Sequence, residues 1–188
     1  MKKSILFAGV GGQGILLAST ILGAAVMEAG YDIKMSEVIG MAQRGGSVTT
    51  QLRFGDKVDS PLISLGEADV LVSFELMEAL RWSEYLRPGG KAIINDYKLP
   101  SAPILTGDTK YPEGIKKHLI KGFDCHFLDA SNKAIELGNI RVQNIILLGA
   151  LAKALDLKEI DWPSYVNKYV KEEFREINLK AFDLGYNS

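Results

Sequence analysis

The 188-residue sequence contains one cysteine, Cys125, and two histidines. A single thiol excludes an internal disulfide, and one chain with one cysteine cannot hold an iron–sulfur cluster or a cysteine-rich zinc site. His118 and His126 lack the spacing of a histidine metal pair, so we predict no metal site. Cys125 and His126 are adjacent in a predicted strand and point to opposite faces, which argues against a nucleophile–base pair.

The sequence also lacks an excess of charge of either sign. Lys plus Arg number 22 and Asp plus Glu 23, which gives a net charge of −1. Proteins that bind nucleic acid or anionic membranes non-specifically usually carry a large positive excess, so neither partner is expected. The length predicts one domain over residues 1–188, with a helical extension over about 160–188.

Long apolar runs are absent as well. No charge occurs between Ser4 and Met27, which imitates a signal peptide or a membrane span, but glycines interrupt the run after residue 8. A signal peptide needs roughly seven to fifteen apolar residues and a span roughly twenty. We therefore predict no membrane segment, and with a lone cysteine the cytoplasm is the expected location.

Apolar strands alternate with helices along the chain, which predicts an α/β fold. We expect a three-layer αβα sandwich around a mostly parallel sheet, with a Rossmann-like start and a hairpin insertion in which 47–54 pairs with 57–63. The predicted strands further include 3–8, 31–38, 68–74, 91–95 and 123–128, and the predicted helices are 14–29, 76–86, 113–121, 141–155 and two exposed C-terminal helices, 162–174 and 178–184. The first helix is apolar nearly all round, so we expect another subunit to cover its second side.

A glycine-rich turn joins the first strand to the first helix. The run G-V-G-G-Q-G satisfies G-x-G-x-x-G in the strand–turn–helix context that gives the motif meaning. Glycines let a phosphate approach the backbone, and the helix start offers unpaired N–H groups and a positive dipole end. The turn predicts a phosphate or nucleotide site at Gly9, Gly11, Gly12, Gln13 and Gly14. The alternative is that the glycines only allow close packing of strand and helix.

An NAD site needs an acidic residue near the end of the second strand, and Glu37 is better placed for it than Asp32. The loop 39–46 is too short for a parallel crossover with a helix, which takes about a dozen residues or more. The topology therefore argues against a stand-alone NAD-dependent oxidoreductase. That function, or a nucleotide-binding module, remains the alternative.

A second glycine-bearing segment, 36–48, follows the second strand. In open α/β sheets, ligands bind at this carboxyl edge. Arg44 beside Gly45 and Gly46 offers a guanidinium next to free backbone N–H groups, Gln43 adds an amide and Met41 a flexible apolar contact. An ordinary turn with an exposed arginine explains the same pattern.

Together the two segments resemble the γ-type subunits of 2-oxoacid:ferredoxin oxidoreductases, and most closely the small subunits of the indolepyruvate enzymes. Those subunits carry G-V-G-G-Q-G and S-E-V-x-G-M-A-Q-R-G-G-S-V, and Ile39 occupies the variable place here. The resemblance continues through 53–55, 60–63, 66–71, 86–90 and 144–151, and so spans nearly the whole chain.

The resemblance implies a supporting subunit with no catalytic residue and no tightly held cofactor. A large partner subunit would carry thiamine diphosphate and the iron–sulfur clusters. The holoenzyme would oxidatively decarboxylate an aryl 2-oxoacid, indolepyruvate foremost, to the acyl-coenzyme A and reduce ferredoxin. The related domain of the pyruvate enzymes implies coenzyme A binding at the glycine turn and Arg44. A pure assembly scaffold, and a homodimer of the isolated chain, stay open.

Overall fold

The structure is a computed structural model, and it describes residues 2–40 and 45–188. Within these residues, one six-stranded sheet is combined with eight α-helices. The strands are β1 (Lys2–Val10), β2 (Asp32–Ile39), β3 (Ser47–Gly55), β4 (Ala68–Ser73), β5 (Leu86–Asn95) and β6 (Asp124–Leu128). The helices are α1 (Ile15–Glu28), α2 (Leu76–Trp82), α3 (Ala102–Leu105), α4 (Ile115–Gly122), α5 (Ala130–Glu136), α6 (Gln143–Leu155), α7 (Trp162–Tyr169) and α8 (Arg175–Tyr186).

The strand order is β2-β3-β1-β4-β5-β6, and only β3 runs against the others. Helices cover both faces. One apolar core joins the sheet to α1, α5, α6, α7 and α8, and a second core on the other face joins it to α2 and α4. The predicted α/β class and mostly parallel three-layer sandwich are confirmed. Because β1 lies between two covered faces, an unbroken apolar run suits it, and residues 4–10 are all buried.

The hairpin has different strands from those predicted. β3 pairs antiparallel with β2, from Asp32 opposite Gly55 to Ile39 opposite Val48, and residues 57–63 form no strand. Side chains of β3 hold that segment instead: the Ile63 N–H donates to Gln51 Oε1 at 2.6 Å, and the Arg53 guanidinium donates to the Leu62 carbonyl at 2.7 Å. Hence 57–63 covers one face of β3 and does not extend the sheet.

β5 begins five residues earlier than predicted, because the Pro88-Gly89-Gly90 segment lies within the strand. Its pairing with β4 is irregular there: Ala68 lies opposite Leu86, whereas Val70 lies opposite Lys91. The extra residues form a bulge, which accommodates a proline that cannot donate to a regular ladder. The predicted strand 91–95 is therefore too short at its start, and the predicted helix 76–86 is too long, because α2 ends at Trp82.

The C-terminal helices are not exposed appendages, which corrects the prediction. α7 ends at Tyr169, five residues before the predicted end, and α8 packs along α6. Ala181, Phe182 and Gly185 of α8 are buried. The two helices approach closely because Gly149 of α6 faces the backbone of α8 and Gly185 of α8 faces the backbone of α6. A Cβ built on Gly149 would lie 2.2 Å from the Phe182 carbonyl oxygen.

The side of α1 that faces away from the sheet is also covered by this chain. α1 contacts β2 and β3 on one side and α6 and α7 on the other. The prediction that another subunit covers the second side of this helix is therefore wrong, although Leu16 and Met27 remain exposed. In the described part of the chain, no helix combines the length and apolarity needed to cross a bilayer.

Candidate functional site

The glycine turn joins β1 to α1 at the carboxyl edge of the sheet, where the sequence predicted a site. Gly12 and Gly14 have φ of 100° and 81°, a region that side chains with a Cβ rarely adopt. Gly9 and Gly14 also meet packing constraints. A Cβ on Gly9 would lie 2.8 Å from Phe74 Cβ, and one on Gly14 would lie 2.4 Å from Asn144 Nδ2. Of Gly9, Gly12 and Gly14 in this turn, Gly12 is the one that combines the left-handed conformation with open space around it.

The buried Gln13 amide stabilises the turn with two hydrogen bonds to the backbone. It is 6% exposed; its Oε1 accepts from the Val10 N–H at 2.7 Å, and its Nε2 donates to the Phe74 carbonyl at 3.0 Å. The Gly11 N–H donates to the Gly46 carbonyl at 2.9 Å. Because these groups already have protein partners, a ligand of the turn would have to contact Gly12, Gly14 and the first turn of α1.

The first turn of α1 is available to an anion. No side chain caps it, and it contains no acidic residue. The first N–H groups of a helix have no intrahelical partner and carry the positive end of its dipole. Asn144 of α6 fixes this end by donating from Nδ2 to the Gly14 carbonyl at 3.1 Å. The arrangement is a positively polarised helix start held in place by its neighbours.

Two cavities flank this helix start. The first cavity, about 420 Å³, is lined by residues 10–16 together with Glu37 and Val48. The second cavity, about 380 Å³, shares Gly12, Gln13 and Gly14 with the first and extends toward residues 139–144 and 169–178. Both are of a size that holds part of a cofactor, since ligand pockets span roughly 300–1,000 Å³.

Glu37 lies beside the first cavity, but it is not placed as in an NAD-binding fold. In the register of the sheet, Glu37 is opposite Thr50 of β3, which is in turn opposite Phe7 of β1. β3 therefore separates Glu37 from the strand that carries the turn by roughly 10 Å, two strand spacings. A Rossmann ribose contact comes from the strand next to the first one, so the topology weighs against NAD.

The second glycine segment is described only in part. Met41, Gln43 and Arg44 lie outside the described residues, and their predicted ligand contacts stay predictions. Gly45 has φ of 82°, and Gly46 accepts the hydrogen bond from Gly11. The structure thus brings Gly46 directly against the glycine turn.

Buried carboxylates of α2 support this region, and the sequence reading missed them. Glu78 is 2% exposed and accepts from Ser47 Oγ at 2.5 Å, Arg81 Nε at 3.1 Å and Trp82 Nε1 at 3.3 Å. Ser47 follows Gly46 directly, so Glu78 anchors the end of the second glycine segment to α2. The sequence signal was the pair of glutamates three residues apart at the start of a helix.

Glu75 is the second of these carboxylates and is fully buried. It caps α2 by accepting from the Glu78 N–H at 2.9 Å, and it also accepts from the Leu99 N–H and the Tyr111 hydroxyl. Burial, followed by the hydrogen bond to Glu75, raises the pKa of Tyr111 far above its usual value. Tyr111 is therefore a neutral donor that stabilises the buried carboxylate.

A polar network at the ends of β4 and β5 was missed as well. Asn95 is fully buried; its Nδ2 donates to the Phe74 carbonyl at 3.2 Å and to Ser131 Oγ at 2.9 Å. Ser131 Oγ donates to Gln143 Oε1 at 2.8 Å. The Phe74 carbonyl thus accepts from both Asn95 and Gln13, which links the glycine turn to the start of α6.

Comparison with known proteins identifies the family. The family model described as pyruvate ferredoxin/flavodoxin oxidoreductase matches residues 4–188. The chain is 42% identical to the indolepyruvate oxidoreductase subunit IorB of Pyrococcus horikoshii, covering 98% of this chain and 95% of that protein.

Among solved structures, the gamma subunit of the keto/oxoacid ferredoxin oxidoreductase of Geobacter sulfurreducens is similar with a TM-score of 0.74 and 25% identity, covering 100% of this chain and 95% of that one. The 2-oxoglutarate:ferredoxin oxidoreductase of Magnetococcus marinus has the same fold, with a TM-score of 0.77 at 23% identity over 99% of this chain and 30% of that one. The resemblance found in the sequence is confirmed: this chain belongs to the pyruvate ferredoxin/flavodoxin oxidoreductase family, as a small, gamma-type subunit of a 2-oxoacid:ferredoxin oxidoreductase.

Proposed function

We propose that this chain is the small subunit of an enzyme that oxidatively decarboxylates an aryl 2-oxoacid, indolepyruvate foremost, to its acyl-coenzyme A and reduces ferredoxin. The name of the 42% identical relative supports the substrate. Within that enzyme, the chain supports assembly and contributes a coenzyme A-binding surface at the glycine turn. The observation that carries this role is the uncapped start of α1, which opens onto two cavities.

The redox groups fit a large partner subunit better than this chain. Iron–sulfur clusters need several cysteine ligands, and the sequence has one. Burial, followed by the charge of Asp124, raises the pKa of the Cys125 thiol, which disfavours the thiolate that binds metal. In the described ranges, no three His, Cys, Asp or Glu side chains cluster as a metal site. We therefore place thiamine diphosphate and the clusters on the partner, which passes electrons to ferredoxin. We expect the holoenzyme to lie in the cytoplasm.

Coenzyme A carries phosphates, and the glycine turn offers what phosphates bind. Gly12 leaves the backbone open to approach, and the start of α1 supplies N–H groups and positive polarity. The similar 2-oxoglutarate enzyme of Magnetococcus marinus is described with coenzyme A bound. In this proposal, Gly9, Gly11 and Gln13 set the shape of the turn, and the Arg44 guanidinium adds a positive charge for the phosphates.

A charge placed at Gly12 tests the proposal in the holoenzyme. Gly12→Asp would put a carboxylate beside the helix start, and we expect it to lower kcat/KM for coenzyme A at least about tenfold through repulsion of the phosphates. Gly107→Asp is the matched control, because Gly107 also has a positive φ, at 85°, and open space around it. Both variants should co-purify with the large subunit.

Two results would reject the coenzyme A role: equal kcat/KM for coenzyme A in Gly12→Asp and Gly107→Asp, or a bound-state structure with coenzyme A entirely on the large subunit. The assembly role has a separate test. If the native protein runs without a large iron–sulfur partner, the assignment to this holoenzyme fails, and tight binding of NAD by the chain alone would favour the alternative.

A further inference from the structure

β2 forms one edge of the sheet, and its outer side is unpaired. It stands at the end of the strand order, and in the described ranges it pairs with β3 alone. The Gly40 N–H donates to the Ser47 carbonyl at 3.1 Å, so these two residues are a hydrogen-bonded pair in register with β2. Bonded and non-bonded pairs alternate along an antiparallel ladder. The main-chain groups that point away from β3 therefore include those of Ile33, Met35 and Glu37.

Little in β2 protects this edge. Natural edge strands usually avoid other chains by being short or by carrying proline, a bulge or charge. β2 spans Asp32–Ile39 without proline and in unbroken register, and its Asp32 and Lys34 side chains are paired with each other at 3.0 Å. In the part of the chain that the structure describes, the outward groups have one contact, from Lys34 Nζ to the Ile33 carbonyl at 3.4 Å. β2 is therefore open to a further strand.

Exposed apolar side chains lie beside the same edge. A Cβ built on Gly23 of α1 would lie 3.2 Å from Ile33 Cδ1, so the stripe of α1 that contains Gly23 faces β2. Leu16 and Met27 belong to that stripe, two turns before and one turn after Gly23, and are 51% and 58% exposed. Met35 lies on the same side of the sheet as Ile33 and is 43% exposed. Large uncharged side chains thus border the unpaired main chain.

We infer that this β2 edge, which consists of β2 and the exposed Leu16 and Met27 of α1, pairs with the β2 edge of a second copy of the chain. The two β2 strands run antiparallel about a twofold axis perpendicular to the sheet, so that the outward N–H and C=O groups of each copy bond to those of the other. This axis keeps both copies of α1 on one side of the joined sheet. The exposed apolar side chains of the two copies then face each other.

The charges of β2 suit a second copy. When the axis passes through Met35 or Ser36, no two like charges lie opposite each other. An axis through Lys34 or Glu37 would instead place that charge opposite its own copy. With the axis at Met35, the strands overlap along 32–38 and the two exposed Met35 side chains meet. The strand is therefore complementary to itself in a long register.

The inference goes beyond the proposed function, because it concerns a contact between two small subunits and needs neither substrate nor coenzyme A. Sedimentation velocity on the full chain at micromolar concentrations tests it. Met35→Pro removes an outward N–H and no bond to β3, a position that accepts proline, and Met35→Ala is the control that keeps the N–H. We expect the parent chain to dimerise and Met35→Pro to raise the dimer Kd at least about tenfold relative to Met35→Ala.

Met27→Lys tests the helical part of the edge without changing the strand. Pairing would bury the new ammonium group, so we expect the dimer Kd to rise at least about tenfold. Leu105→Lys is the matched control, because Leu105 is also an exposed apolar side chain, on α3 after β5, and β3, β1 and β4 separate β5 from β2. Thermal unfolding checks the fold of each variant, and this second pair decides alone if Met35→Pro does not fold.

A parent chain that stays monomeric at about 100 µM would overturn the inference, as would folded Met35→Pro and Met27→Lys variants that dimerise like their controls. A monomeric parent chain whose Met35→Pro variant no longer binds the large subunit would also overturn it, by assigning the edge to a strand of that subunit. The proposed function has separate tests, because co-purification and the Gly12→Asp effect on coenzyme A do not depend on this dimer.

Discussion

The contact between α6 and α8 leads to a sharp prediction for Gly185→Ala. A Cβ on Gly185 would lie 1.8 Å from the Ile146 carbonyl oxygen, whereas ordinary contacts begin near 3.4 Å, so the helices must separate by about 1.5 Å. The obstacle is backbone, which cannot rotate away. Overpacking of a core costs about 1–3 kcal/mol, and we expect the upper end because Phe182 and Ala181 lose contact together.

The higher helix propensity of alanine opposes this loss by at most about 1 kcal/mol, so the net destabilisation should be about 2–3 kcal/mol. For a chain of this length, that lowers the Tm by about 4–12 °C. Trp162 is buried with its ring stacked 6.3 Å from that of Phe182. Tryptophan fluorescence during urea unfolding, measured in a Trp82→Phe background so that Trp162 is the only emitter, therefore reports on the contact with α8.

Gly122→Ala is the control. Gly122 ends α4 with no heavy atom near its virtual Cβ, and the alanine should leave stability unchanged or raise it by up to about 1 kcal/mol. A Gly185→Ala variant within about 0.5 kcal/mol of the parent chain would refute the close approach of α6 and α8.

Three further predictions concern the site and its supports. Gly14→Ala should lose about 1–3 kcal/mol in chemical unfolding, because φ is 81° and the new Cβ would meet the Asn144 amide; an unchanged midpoint would contradict this packing. Glu78→Ala should lower stability by about 2–3 kcal/mol because the Ser47 hydroxyl loses its acceptor, and Glu78→Gln should recover part of the loss; equal Tm values for both variants would show that hydrogen bonding is not the cause. Because the pKa of the Cys125 thiol is raised, its thiolate fraction at pH 8 is lower in the folded chain, so iodoacetamide should label it more slowly than in the urea-unfolded chain, as followed by mass spectrometry; equal rates would argue against the raised pKa.

The start of the fold was predictable because its signals are local. An apolar strand, a glycine turn and an apolar helix follow one another within thirty residues, and each has its own pattern. The pairing of β3 was not predictable from pattern alone. The tight turn at Gly55 favoured a return through 57–63, but Pro61 lacks an N–H and β2 offered eight residues in continuous register.

The packing of α8 was hidden for a related reason. Two of its four buried residues are the small Ala181 and Gly185, and a glycine in a sequence indicates a weak helix former. The structure uses the same glycine for close approach of two backbones. The burial of Glu78 was not predictable either, because a glutamate in the first turn of a helix is usually exposed. Its hydrogen bonds to Ser47, Arg81 and the Trp82 indole stabilise it in the buried position, and Ser47 is distant in the sequence.

The two hydrogen bonds that the Phe74 carbonyl accepts bear on the rate at which the proposed ligand can bind. Because it accepts from both Gln13 and Asn95, the glycine turn cannot shift without breaking bonds that also fix the start of α5. In the proposed function, coenzyme A therefore meets a glycine turn that is already held in one shape, and we expect no rearrangement of this turn to slow its binding. We expect coenzyme A to associate with the holoenzyme at roughly 10⁵–10⁷ M⁻¹s⁻¹, and we expect variants of the turn to change its dissociation rate more than its association rate.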